Sequence, residues 1–192
     1  MHKAFVVAIN TKTDSHQIPS QSWVVLQSER QRSTMGVYTF TNEIHSPVSA
    51  SRIFNAITLD PDTIVKKIVP SGIKNIDVIQ GNGGPGTIKL INFLEGKPFK
   101  YVKHRVDALD KEKMTYAYTV FEGDALIGRI ESISHEFKIS SRPDGGSTGI
   151  QVSTYRTKPG AENKEEEITS GESKDSCVFK AVEDYLLAHP DA

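Results

Sequence analysis

Residues 81 to 88 read GNGGPGTI, and what flanks this loop decides between a nucleotide-binding α/β fold and an antiparallel sheet. The first six residues satisfy G-x-G-x-x-G. A dinucleotide fingerprint needs a strand before the glycines and a helix after them, because the pyrophosphate rests on the helix N-terminus. Ile76, Val78 and Ile79 supply the strand, but Thr87-Ile88-Lys89-Leu90-Ile91-Asn92-Phe93 is rich in β-branched and aromatic residues and has no helical period. A P-loop would put Lys and Ser/Thr directly after the last glycine, where Thr87 and Ile88 stand. The kinase glycine loop is a strand-loop-strand and fits locally, yet HRVD at 104 to 107 is not H-R-D and no D-F-G occurs. The loop therefore reads as a hairpin. Gly83, Gly84 and Gly86 are expected at positive φ, with Pro85 stiffening the tip between Gly81-Asn82 and Thr87.

Working outward, the same pattern recurs. Tyr38, Phe40 and Ile44 alternate with polar residues, predicting a strand from Val37 that Pro47 breaks. Ser49 can cap a short helix carrying Ile53, Phe54 and Ile57, and Asp60-Pro61 can start a second one that Pro70 stops. Six further strands are predicted at 75–80, 86–93, 100–108, 115–122, 131–140 and 148–156, separated by turn signals such as Asp110 to Lys113 and Pro143 to Gly146. Short links favour antiparallel neighbours. After a polar stretch at 158–167, Val178, Val182, Tyr185, Leu186 and His189 form a helical stripe with Phe179 beside it. The expected fold is α+β: a seven-stranded antiparallel sheet curled around a long C-terminal helix, with two short helices.

Strand parity gives the inward set: Val102, His104 and Val106; Tyr116, Tyr118 and Val120; Ile133, His135, Phe137 and Ile139; Ile150 and Val152. Tyrosine and histidine stand where a dry core would use Leu and Val. Two readings stay open: a packed core whose tyrosines are satisfied locally, and an internal cavity whose wall includes Val102, His104, Tyr116, Tyr118, Ile133, His135 and Phe137.

Composition narrows the function classes. Among 192 residues, 23 Lys and Arg face 24 Asp and Glu, so the net charge of −1 offers no overall field for RNA or an anionic membrane. No stretch approaches the roughly 18 apolar residues of a membrane span. Residues 1–34 hold five Ser and only two acids, Asp14 and Glu29, which fits a disordered extension, with Met35-Gly36 as a natural start; a transit peptide is the other reading. Cys177 is the lone cysteine and sits among helix core residues, which suits a buried thiol in a reducing compartment. The six histidines are scattered, so no metal site and no cofactor are expected.

Several stretches resemble one family. GVYTF at 36–40, LDPD at 59–62, GNGGPGTIK at 81–89, KYVKHRVDALD at 100–110, FEGDALI at 121–127, PDGGS at 143–147 and AVEDYLLAHPDA at 181–192 look like the major birch-pollen-allergen family, the plant pathogenesis-related proteins of class 10, across residues 35–192. The resemblance implies a helix-grip fold with a large internal cavity, a stress-induced monomer of the cytoplasm or nucleus, and small amphipathic ligands such as cytokinins, flavonoids, fatty acids and steroid-like molecules. It also implies an alternative, a ribonuclease, whose proposed machinery matches Lys89, Glu131, Glu183 and Tyr185 here. The related alkaloid-forming condensing enzymes use Tyr, Glu and Lys at positions that count onto Val102, His104 and Tyr116, and all three depart. LEGKPF at 94–99 does not resemble the gating loops of the related hormone receptors.

Overall fold

A computed structural model describes residues 36–58, 67, 72–97, 99–161 and 179–190, together with the backbone of 28–32. The body of the helix expected after Asp60-Pro61, the polar stretch beyond Ala161, Cys177, Val178 and most of 1–34 lie outside the described residues.

The described chain runs β1 (Ser28–Arg32), β2 (Val37–Ser46), α1 (Ala50–Thr58), β3 (Ile73–Gln80), β4 (Ile88–Phe93), β5 (Tyr101–Asp110), β6 (Thr115–Gly123), β7 (Ile130–Ser141) and β8 (Ser147–Thr157), then a helix over residues 179–188, here α2. All pairings are antiparallel, in the order β1-β2-β8-β7-β6-β5-β4-β3. The seven expected strands are β2 to β8. The alternation between faces is clearest in β2, which buries Tyr38, Phe40, Asn42, Ile44 and Ser46 in strict alternation.

The helices cover one face of this sheet. Ile53 and Phe54 of α1 and Phe179, Val182 and Leu186 of α2 share a cluster with Ile44, Val106, Tyr116 and Ile139 from the sheet. This is the helix-grip arrangement: a curled sheet closed on a helix stripe, each covering the other's apolar surface.

Four details differ from the sequence expectation. An eighth strand, β1, pairs Ser28–Arg32 with Asn42 through Tyr38 along the edge of β2. In β8 the inner residues are Ser147, Gly149, Gln151, Ser153 and Tyr155, while Ile150 is 37% exposed and Val152 shares its outer parity. The reason is steric: Phe179 lies against Gly149, and small or polar residues occupy the face where apolar parity suggested Ile150 and Val152. On α2 the buried face is Phe179, Val182, Glu183 and Leu186, whereas His189 is exposed and stacks on Tyr185. Finally, Gly81, Gly83 and Gly86 take positive φ in the glycine loop, whereas Gly84 does not.

Candidate functional site

Paired residues on neighbouring strands share a face, so the register lays out the inner wall in rows. One row runs Lys89, His104, Val120, Ile133, Tyr155 and Tyr38. The next runs Val106, Tyr118, His135, Ser153 and Phe40, and a third Tyr116, Phe137, Gln151 and Asn42. Val102 lies two residues before His104 on the same face and is buried. All seven candidate ligand residues thus stand on one wall.

That wall contributes to two apolar clusters. The first, gripped by the helices, contains Tyr116 and packs Phe137. The second contains Val102, Val120, Ile133 and Tyr155. Tyr118 packs against both, and its ring centre lies 4.8 Å from that of His104, 5.0 Å from His135, 5.6 Å from Tyr116 and 6.1 Å from Phe137. Polar side chains form a seam within this wall: Asn42, Lys89, His104, His135, Gln151 and Ser153 are all buried.

Some of this polarity is satisfied. His135 Nδ1 and Ser153 Oγ are 3.0 Å apart, and Gln151 Nε2 donates to Ser153 Oγ at 3.2 Å. His104 Nε2 and Gln151 Oε1, however, are buried without a hydrogen-bond partner among the described residues. Burial pushes the His104 imidazole down to about 4, aided by the Lys89 ammonium and by His135, with Asp107 opposing. Burial likewise pushes the Tyr116 phenol up to about 12, with Asp107 adding to it. At neutral pH the seam therefore presents an uncharged imidazole and a protonated phenol.

The glycine loop is closed on itself. Gly83 N donates to Thr87 Oγ1 at 2.9 Å, Gly84 N to Asn82 Oδ1 at 3.2 Å, Gly86 N to Val106 O at 2.7 Å and Thr87 N to Gly84 O at 3.1 Å. A phosphate cradle needs such amides free and convergent. Here they hold a hairpin between β3 and β4, with Pro85 exposed at its tip.

The four ribonuclease candidates are dispersed. Lys89 is on the inner wall opposite His104. Glu131 is the extra residue of a bulge between Ile130 and Ser132 and is exposed. Glu183 is buried on α2, 3.7 Å from Lys180; burial raises its carboxyl above the usual range, with a hydrogen bond from Ser46 and the charge of Lys180 opposing. Tyr185 is half-buried and stacks on His189.

Gln151, Ser153 and Asn42 belong to the wall but were not legible as site residues. The period-two set Gly149, Gln151, Ser153 was their signal, masked by the more apolar Ile150 and Val152. Among the described residues, no group of three or more His, Cys, Asp or Glu could hold a metal ion, and no helix is long and apolar enough to cross a membrane.

Comparisons with known proteins agree with this architecture. The chain is 48% identical over 158 residues to the major allergen Pru av 1 of Prunus avium, covering 82% of this chain and 99% of that protein. It is 47% identical over 156 residues to the major strawberry allergen Fra a 1-B of Fragaria ananassa, covering 81% and 98%. Among solved structures, that of Ara h 8.0201 superposes with a TM-score of 0.73 at 35% identity, covering 80% of this chain and 100% of that one. Norcoclaurine synthase from Thalictrum flavum, in complex with dopamine and hydroxybenzaldehyde, shares the fold with a TM-score of 0.64 at 18% identity, covering 88% and 98%. The curled sheet, the gripped helix and a family profile matching residues 35–189 give one answer: the chain belongs to the Pathogenesis-related protein Bet v 1 family.

Proposed function

We propose that the protein is an intracellular binding protein of plant defence that holds a small amphipathic metabolite or hormone against the wall centred on Tyr118. The observation that carries this reading is the pair of buried, unpartnered atoms His104 Nε2 and Gln151 Oε1 on the polar seam of this wall. A buried polar atom left unsatisfied costs about 1 to 3 kcal/mol, and a bound molecule with polar groups and an apolar body would remove that cost. The rings of Tyr116, Tyr118 and Phe137 offer the apolar body a flat contact.

Titration with an environment-sensitive naphthalene dye tests the reading. Ile133 is 7% exposed on this wall, so Ile133→Trp should fill the site and weaken dye binding about tenfold or more. Gln151→Met, close in volume, provides a second variant without the amide. Unchanged affinity in both folded variants would place the dye elsewhere and refute the assignment.

A further inference from the structure

The two unpartnered atoms of the wall differ in the partner they can take. Gln151 Oε1 is a carbonyl oxygen and only accepts, whereas His104 Nε2 donates or accepts according to which ring nitrogen holds the proton. A hydroxyl satisfies either form of the imidazole. The two residues also stand at opposite corners of the wall. The register carries His104 through Val120 and Ile133 to Tyr155, and Gln151 lies four residues back along β8. With strands about 4.8 Å apart and a rise of about 3.3 Å per residue, their backbones are roughly 20 Å apart along the sheet. Both side chains are buried on the inner face of a curled sheet, so their tips are closer than that. Aromatic rings line the path between them: the centres of His104 and Tyr118 are 4.8 Å apart, and those of Tyr118 and His135 5.0 Å. Ser153 then links His135 to Gln151 by hydrogen bonds.

Building on the binding reading above, we propose that Gln151 and His104 together set the ligand's specificity: the ligand is an elongated, rigid aromatic with a hydrogen-bond donor at each end, an O–H or N–H on Gln151 Oε1 and a hydroxyl on His104 Nε2, with Tyr118 under its middle. A ligand end that only accepts would face Gln151 Oε1 with a second acceptor, and an apolar end would leave that oxygen buried and unsatisfied. A short molecule reaches one corner alone. At neutral pH both contacts are made by uncharged groups, since burial holds the His104 imidazole down to about 4. The third buried, unpartnered atom, Glu183 Oε2, lies outside this pair. Its carboxyl is beside Ser46, four residues beyond the Asn42 that pairs with Gln151.

Three probes of one length test the pair: trans-stilbene-4,4'-diol, 4-fluoro-4'-hydroxystilbene and 4,4'-difluorostilbene. Fluorine is close to hydroxyl in size and donates nothing. Followed by stilbene fluorescence in the full chain at pH 7, affinity should fall in that order, with the diol about tenfold or more tighter than the difluoro compound. In Gln151→Met one anchored end remains, so the diol and the mono-hydroxy compound should bind alike; His104→Phe should give the same collapse, and the double variant should bind all three equally. The wild-type ranking needs no variant to fold. Equal wild-type affinities, or tighter binding of the acceptor-only stilbene-4,4'-dicarbaldehyde than of the diol, would overturn the two-ended specificity while leaving the binding reading intact. A diol preference unchanged in both folded single variants would overturn the assignment to Gln151 and His104. Binding of the naphthalene dye without binding of any stilbene would overturn the elongated shape alone, and binding of neither would overturn the binding reading itself.

Discussion

Phe179 of α2 lies so close to Gly149 of β8 that a β-carbon at residue 149 would stand 3.1 Å from Cζ of the ring. The grip between helix and sheet depends on this absent side chain. Gly149→Val should overpack the contact and cost about 1 to 3 kcal/mol, or roughly 3 to 10 °C in thermal midpoint. Gly149→Ala should cost less, because the ring can yield by a few tenths of an ångström. A thermal melt of Gly149→Val matching wild type would show that the helix does not grip the sheet there.

The same contact explains what the sequence could and could not reveal. Strands β2, β5, β6 and β7 were legible from period-two alternation, and β3 and β4 from their β-branched and aromatic content beside the glycine loop. The face of β8 was not, since the helix demands a small residue inward and leaves Ile150 outward, reversing apolar parity. β1 carries no apolar signal at all: SERQR is wholly polar, and its strand is defined by backbone pairing to the edge of β2. The aromatic members of the wall were readable from β5, β6 and β7, but Gln151, Ser153 and Asn42 became site residues only through the register.

Acid should weaken the fold through His104. Its folded pKa of about 4 lies below the ordinary 6.5, so its contribution is fully present above pH 6.5 and is lost as pH falls toward 4. The shift corresponds to at most roughly 3 kcal/mol. Glu183 has the opposite sign: its raised pKa contributes stability at low pH that disappears as pH rises through the folded value. Chemical denaturation across pH 4 to 7 should therefore show a shallower acid loss in His104→Phe and a steeper one in Glu183→Gln. Parallel profiles for both variants and wild type would contradict these assignments.

Deleting residues 1–34 should leave the domain folded, because the family match begins at residue 35. It should also strip the edge of β2 of its partner along Tyr38 to Asn42. Hydrogen exchange should show faster exchange of the β2 amides that face β1, with β5 to β7 unchanged. Global loss of protection would mean that the extension contributes to the core.

Ribonuclease chemistry needs an acid and a base acting on one ribose, whereas Lys89 is on the inner wall and Glu131 on an exposed bulge. RNA cleavage by highly purified protein should accordingly be slow and unaffected by Lys89→Ala or Glu183→Gln. A robust wild-type activity lost in both folded variants would install the enzyme in place of the binder.

The most direct measurement is two-dimensional NMR of the imidazole and methyl groups during titration with 2-naphthylacetic acid. If a ligand lies along Tyr118, the ring signals of His104 and His135 and the methyls of Ile133 and Val120 should shift together on one saturable curve, while half-buried His45 and exposed His189, outside this wall, stay still. Shifts confined to surface groups such as Val78, Ile79 or Leu187, or none at saturation of the probe, would contradict the account.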